Sequence, residues 1–181
     1  MPTIVFFDYD KKKIESYEKV LGKLNKNIIF LHATFEEVLT KYYEKHPFVL
    51  VSPANSYGNM CGGFDKDIIK KFPTCKNRVL DLVKRSAYSD SSGRSYIPVG
   101  VCKFVELDNK NNVLLMAPTM LTPRNIVGTS NIYLAFSAIY KNIKDLDDSV
   151  IVACPCLGTG IGGMSGEESA GQILRFYKQI K

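Results

Sequence analysis

Polar and apolar positions alternate along this chain in blocks whose period switches between that of a buried strand and that of an amphipathic helix. Thr3-Ile-Val-Phe-Phe-Asp8 is a short apolar run suited to a buried strand. From about Lys11 to Leu24, the residues Ile14, Tyr17, Val20, Leu21 and Leu24 share one helical face. A second strand is predicted at Asn27 to Leu31. Thr34-x-x-Glu37 then forms a capping box ahead of a short helix carrying Phe35, Val38, Leu39 and Tyr42. Phe48-Val-Leu-Val51, flanked by Pro47 and Pro53, reads as a central strand.

The next stretch, Ser52 to Asp65, is too rich in Gly, Pro and Asn to be regular. Asp65 opens a predicted helix through Ile68, Ile69 and Phe72, and a second runs from about Thr74 to Lys84. Asp90-Ser-Ser-Gly-Arg94 is the most polar segment and the best candidate for a mobile loop. Pro98 to Leu107 and Val113 to Pro118 read as two strands joined by a hairpin loop at Asp108 to Asn112. Thr119 to Gly128 is a connection that could form an active-site rim. Asn131 to Ile143 carries Ile132, Tyr133, Phe136, Ile139, Tyr140 and Ile143 at helical spacing, a core stripe. A last strand at Ser149 to Cys154 and a last helix at Glu167 to Ile180 complete the pattern.

This alternation predicts a single α/β domain over residues 1–181, with a mixed central sheet sandwiched by helices. In such sheets, ligands sit beyond the carboxyl ends of the strands. The glycine-rich loops 52–63 and 158–163 both follow strands, which makes them walls of one expected cleft.

Composition narrows the class. The 181 residues suffice for one sizeable core, and 45% hydrophobic with 23% charged residues is ordinary for a globular protein. No run of about 18 apolar residues is present, so no membrane partner is expected. The N-terminus lacks a basic region before its apolar run, which predicts a first strand and an intracellular protein, cytoplasmic or nuclear. Five irregularly spaced cysteines suit reduced thiols. Cys154-Pro155-Cys156 has no second Cys or His pair at finger-like spacing, so no metal or cofactor is implied. His32 and His46 are the only histidines, and neither neighbourhood resembles a catalytic triad. The net charge of +6 draws on Lys11, Lys12, Lys13, Lys19, Lys23 and Lys26, read as the solvated face of a helix. It is compatible with an anionic ligand and, more weakly, with RNA.

The chemistry concentrates in Val150 to Glu168. An apolar strand leads into Gly158-Thr-Gly160-Ile-Gly162-Gly163, and Ser165-x-x-Glu168 then forms a predicted capping box. Glycines there let successive backbone N–H groups turn toward a phosphate. Gly158-x-Gly160-x-x-Gly163 spells a dinucleotide motif. A Rossmann site, however, needs a further strand with an acid about 20 residues on, and the sequence ends at Lys181 within the predicted helix. No Gly-Lys-Ser/Thr occurs, which excludes a P-loop.

Val51-Ser-Pro-Ala-Asn55-Ser-x-Gly58-x-Met-Cys-Gly62-Gly63-Phe-Asp65 resembles the N-A-A-N-x-x-x-x-x-G-G-G-V-D signature of macro domains, the ADP-ribose-binding family. Pro155-x-Leu157-Gly158-Thr159-Gly160-Ile161-Gly162 resembles their second phosphate loop, in the same order along the chain. Ala117-Pro-Thr-Met-Leu121 and Asn131-Ile-Tyr-Leu-Ala-Phe136 are similar to a bacterial and phage-associated branch, extending the resemblance over nearly the whole chain. The resemblance implies a three-layer α/β/α macro-domain-like fold. It also implies ADP-ribose, free or on an ADP-ribosylated macromolecule, as partner.

By position, the resemblance sets Asn55 near the distal ribose, which it would orient in a hydrolytic reaction, Gly62 and Gly63 close to that ribose and its adjoining phosphate, and Gly158, Thr159, Gly160, Ile161 and Gly162 around the diphosphate. Ala33, Ala54, Phe64 and Leu157 belong to the same implied ligand-binding set. An Asn amide can donate to and accept from a ribose hydroxyl. Turn formation after Pro53-Ala54 is the other role open to Asn55. Asp65 matches the acid with which hydrolytic branches orient a water, a general-base step. A helix N-cap would account for Asp65 as fully as catalysis.

Three departures bear on specificity. The Asp that holds the adenine amino group in the family aligns with Ala33. The first Asn of N-A-A-N is Ser52. The aromatic of the second loop falls at Gly162, which would open the distal-ribose end, with Tyr57 or Phe64 as substitutes for its stacking contact. Three functions are therefore carried forward: an ADP-ribosyl or ADP-ribose-ester hydrolase, a non-catalytic ADP-ribose reader, and a diverged fold that binds another nucleotide or RNA.

Overall fold

The computed structural model describes residues 1–24, 26–108 and 112–180. Its strands are β1 (Thr3–Asp8), β2 (Ile28–His32), β3 (Phe48–Ser52), β4 (Lys103–Glu106), β5 (Val113–Met116) and β6 (Ile151–Pro155). Its helices are α1 (Lys11–Leu21), α2 (Phe35–Val38), α3 (Gly63–Lys71), α4 (Cys75–Lys84), α5 (Asn131–Ile143) and α6 (Gly166–Gln179). The strands form one sheet in the order β2-β1-β6-β3-β5-β4. All neighbours are parallel except β4 and β5, so the sheet is mixed as predicted.

Side-chain alternation splits the core into two layers. Ile4, Phe6, Val51, Val152 and Cys154 face α1, α5 and α6 through Tyr17, Phe136 and Phe176. Val5, Phe7, Leu50 and Ala153 face the other way, onto α2, α3 and α4 through Val38, Ile68 and Val79. Strands covered on both faces must be apolar at every position. This is why β3 and β6 appear in the sequence as unbroken apolar runs, and both are buried throughout.

Several boundaries differ from expectation, each for a local reason. Asp10 caps α1 by accepting from Lys12 N, and the helix ends at Leu21 with Gly22, a poor helix former, as its C-cap. The Thr34–Glu37 capping box is present in full, but the short helix continues as a π-helical turn, Leu39–Tyr43. Most of Pro98–Leu107 is not strand: Gly100 at φ +91° turns the chain, and only Lys103–Glu106 pairs with β5. The predicted hairpin loop falls largely on residues 109–111, outside the described residues. The polar segment at Asp90 is a tied turn. Asp90 accepts from Ser92 N, Ser92 Oγ, Arg94 N and the Tyr57 hydroxyl. Those bonds, Ser92 and Tyr57 first, hold its carboxyl below the usual range.

Among the described residues, no helix is long and apolar enough to cross a membrane.

Candidate functional site

Four parallel strands, β1, β6, β3 and β5, end on the same edge of the sheet, and β2 joins them at Ala33. Beyond that edge lies a cleft of about 680 Å³. Of the residues singled out in the sequence, Ala33, Asn55, Gly62, Gly63, Phe64, Asp65, Gly158, Thr159, Gly160, Ile161 and Gly162 line it. Ala54 and Leu157 are buried behind it. Tyr57 is not among the lining residues. Its ring instead carries the Arg94 guanidinium at 3.9 Å. Phe64 does line the cleft, packed edge-on against Phe7 and Phe35 with ring centroids 5.5 and 5.0 Å away.

The first loop is shaped by Asn55. Its Oδ1 accepts from Tyr57 N and Asn59 N, and its Nδ2 donates to Asn59 O at 2.9 Å. This is the turn-forming role the sequence offered, and one Nδ2 hydrogen lies beyond it. The loop also stays zipped to the segment after β5 through Ala117 N to Ser52 O, Thr119 N to Ala54 O and Ser56 N to Met120 O.

Asp65 is not a cap. The N-cap of α3 is Gly62, which has no side chain to bond, and Asp65 sits in the first turn with its carboxyl turned inward. Ser52 Oγ donates to Asp65 Oδ1 at 2.6 Å. Burial pushes the carboxyl up to about 6, and the Ser52 hydrogen bond opposes that only in part. The residue at the altered first position of the N-A-A-N signature is therefore the partner of the cleft's acid.

The second loop is held from behind by a closed ring of hydrogen bonds. Leu157 N donates to Tyr17 Oη at 2.9 Å, and Ser169 Oγ donates to Leu157 O at 2.6 Å. Since the serine proton is thus used, the Tyr17 hydroxyl donates to Ser169 Oγ, 2.6 Å away. Tyr17 was legible only as part of an apolar stripe. Its hydroxyl, 140 residues from Leu157 in sequence, anchors the strand-to-loop transition.

Beyond the anchor, Gly158 takes φ +69°, and the loop closes with Gly163 N on Gly160 O and Met164 N on Gly158 O. Among the described residues, no hydrogen bond takes the N–H of Thr159, Gly160, Ile161 or Gly162. Four successive unpaired donors form an anion nest. The glycines divide the labour. A Cβ at Gly160 would meet nothing within 4 Å, whereas one at Gly162 would lie 2.5 Å from Gly158 O and 2.9 Å from Ile126 Cγ1. Gly162 is thus a close-packing position, and its lack of a side chain closes the loop on itself instead of opening the ribose end. Ile161 Cδ1 reaches the first loop, 3.4 Å from a Cβ built on Gly62.

The capping box predicted at Ser165–Glu168 is half formed. Ser165 caps α6 by accepting from Glu168 N, but the Glu168 carboxylate accepts from Gly128 N at 2.8 Å. It therefore ties the 119–128 segment to α6. That segment is the expected rim, and it supplies Thr119, Met120 and Pro123 to the cleft.

Asp8, Tyr9, Lys13 and Cys156 also line the cleft, and the sequence reading missed all four. Asp8 is the last residue of β1, so the strand-end rule that marked the two loops marks it too. Lys13 leaves the exposed lysine run and pairs with Asp8 at 3.8 Å. Cys154 and Cys156 are buried thiols, pushed up by desolvation.

No protein-family model matches the chain, and no curated protein matches it. Solved structures do. The macrodomain of Mycobacterium tuberculosis DarG superposes with a TM-score of 0.56 at 19% identity, over 73% of this chain and 82% of that one. The chain has the macrodomain fold. Thermosipho africanus DarTG, solved in complex with ADP-ribose, matches with a TM-score of 0.56 at 18% identity. That match covers 96% of this chain and 50% of the other, so this macrodomain-fold chain spans half the length of the Thermosipho protein. The mixed six-stranded sheet between helical layers is the architecture these neighbours share.

Proposed function

We propose that this chain binds ADP-ribose, free or attached to a macromolecule, in the cleft between its two glycine-rich loops. The observation that carries the reading is the row of four unpaired N–H donors at Thr159 to Gly162, opposite the side-chain-free start of α3. Together they suit a diphosphate better than a monoanion. Backbone donors also explain how so acidic a cleft could take an anion. Lys13 is the sole Lys or Arg among the lining residues, against Asp8, Asp65 and Asp67. The macrodomain fold, and its occurrence in a DarTG structure with ADP-ribose, supports the same ligand.

A hydrolytic role for the same site draws support from Asp65. A buried carboxyl raised to about 6 is mostly ionised at neutral pH and still basic enough to act as a general base. In that role Asp65 takes a proton from the water that attacks the anomeric carbon of the distal ribose, or the acetyl carbonyl carbon where the substrate is O-acetyl-ADP-ribose. The bond to the leaving oxygen breaks, and that oxygen takes a proton from solvent. Ser52 would hold the carboxylate in place.

Calorimetry with ADP-ribose tests binding, and single-turnover assays on ADP-ribosylated protein, O-acetyl-ADP-ribose and ADP-ribose phosphate test hydrolysis. Turnover that Asp65→Asn abolishes while retaining binding supports the hydrolase. Binding without turnover of any of the three makes the chain a reader. Absence of ADP-ribose binding overturns both.

A further inference from the structure

The cleft end formed by β1, β2 and the start of α1 is polar in a specific way. Ala33 contributes only a methyl group there, but the strand beside it supplies a carboxylate. Asp8 is in register with His32, and Ala33 N donates to Asp8 O at 3.1 Å. The Asp8 side chain is 11% exposed and faces Lys13, 21% exposed, with Nζ 3.8 Å from Oδ2. That separation exceeds hydrogen-bond reach, so neither group saturates the other. Asp8 Oδ1 accepts from Asp10 N at 2.9 Å, which fixes the carboxylate and leaves most of its acceptor capacity unused. His32 Nε2 donates to Tyr9 O at 3.0 Å, and the exposed Tyr9 ring stands at the mouth. Phe7, Phe35 and Phe64 pack together as the neighbouring apolar wall.

A flat heterocycle lying against that wall would meet an acceptor, Asp8, at the deeper position and a donor, Lys13, nearer the mouth. The group that reaches deepest from a nucleoside's ribose is the exocyclic substituent of its base. An exocyclic amine satisfies Asp8, and the ring nitrogen beside it accepts from Lys13. A carbonyl at the same place would set its lone pairs against a carboxylate and leave the part-buried Asp8 and Lys13 groups without a partner on the base.

We infer that Asp8 and Lys13 form the base-reading edge of this cleft and select a base whose exocyclic amine adjoins an unprotonated ring nitrogen, adenine or cytosine, over hypoxanthine or uracil. The inference rests on the nucleotide reading proposed above. It moves the base-recognising carboxylate from the position of Ala33 to the adjacent strand.

The test is calorimetric titration of the full chain with ADP-ribose and with its hypoxanthine counterpart, which carries a carbonyl in place of the amine and a proton on the adjoining ring nitrogen. The parent should prefer ADP-ribose by about tenfold or more, the scale of one hydrogen bond to a charged group. Asp8→Asn keeps the acceptor for Asp10 N and adds an amide that can donate to a carbonyl, so the preference should fall below about threefold. Lys13→Met keeps most of the buried stem and should weaken ADP-ribose binding several-fold, about the loss of one donor. Melting curves establish that both variants fold. ADP-ribose binding without base preference, or a preference that Asp8→Asn leaves intact, overturns this inference alone. If the parent binds neither compound, the diphosphate reading falls with it.

Discussion

Ser52 Oγ donates a 2.6 Å hydrogen bond to Asp65 Oδ1, joining the last residue of β3 to the first turn of α3 across the mouth of the first loop. The contact puts the raised carboxyl of the cleft under the control of one neighbouring hydroxyl. It also gives the altered first residue of the loop signature a defined role.

Asp65 should leave a mark on stability against pH. Its carboxyl is raised from 3.8 to about 6 by burial. Between about pH 4 and 6 the folded chain therefore keeps a proton that the unfolded chain has released. Its contribution is fully present below the lower value and lost as pH rises through the upper one. Urea unfolding from pH 3.5 to 7.5 should show the parent losing on the order of 2–3 kcal/mol relative to Asp65→Asn. Parallel curves for the two proteins would contradict the buried, raised carboxyl. Ser52→Ala removes the donor that favours the ionised form and should move the window to higher pH.

Two glycines of the second loop should behave oppositely on replacement by alanine. At Gly160 the new methyl group meets nothing within 4 Å, so the melting temperature should stay within about 2 °C of the parent while ADP-ribose affinity drops at least tenfold. At Gly162 it would lie 2.5 Å from Gly158 O, so stability should fall as well, by about 1–3 kcal/mol. Full ADP-ribose affinity in Gly160→Ala would remove this loop from the binding surface.

Tyr17→Phe deletes one oxygen from the ring that anchors Leu157. The Leu157 N–H loses its acceptor and Ser169 loses a donor, both buried, which should cost about 1–3 kcal/mol in urea unfolding. The aromatic packing against Phe6 remains, so a larger loss would point to disruption of the core. No loss would show that the ring of hydrogen bonds contributes nothing.

Much of this architecture is legible in the sequence because the sheet is covered on both faces. Such strands are continuous apolar runs, and β1, β3 and β6 announce themselves that way. The two glycine-rich loops are equally visible, since a tight backbone leaves its mark in composition. Contacts that join distant segments are not. Tyr17 and Ser169 meet across 152 residues, and nothing local distinguishes Tyr17 from the other apolar positions of α1. Lys13 looks like one more member of a lysine run until β1 and α1 turn it into the cleft. Glu168 has the spacing of a capping box, but the loop above it offers a competing N–H at Gly128. Gly162 misled for a related reason: a missing side chain reads as open space, whereas here the backbone already fills it.

In the proposed function the loops after β3 and β6 close around a diphosphate, holding it with backbone N–H groups and not with lysine. Calorimetric titration of the parent and Gly160→Ala with ADP-ribose tests it most directly, repeated at low and high salt. The parent should bind one-to-one with an affinity that changes only slightly with salt, since few side-chain cations take part, and Gly160→Ala should bind at least tenfold more weakly. No binding by the parent, or equal binding by both proteins, would contradict it.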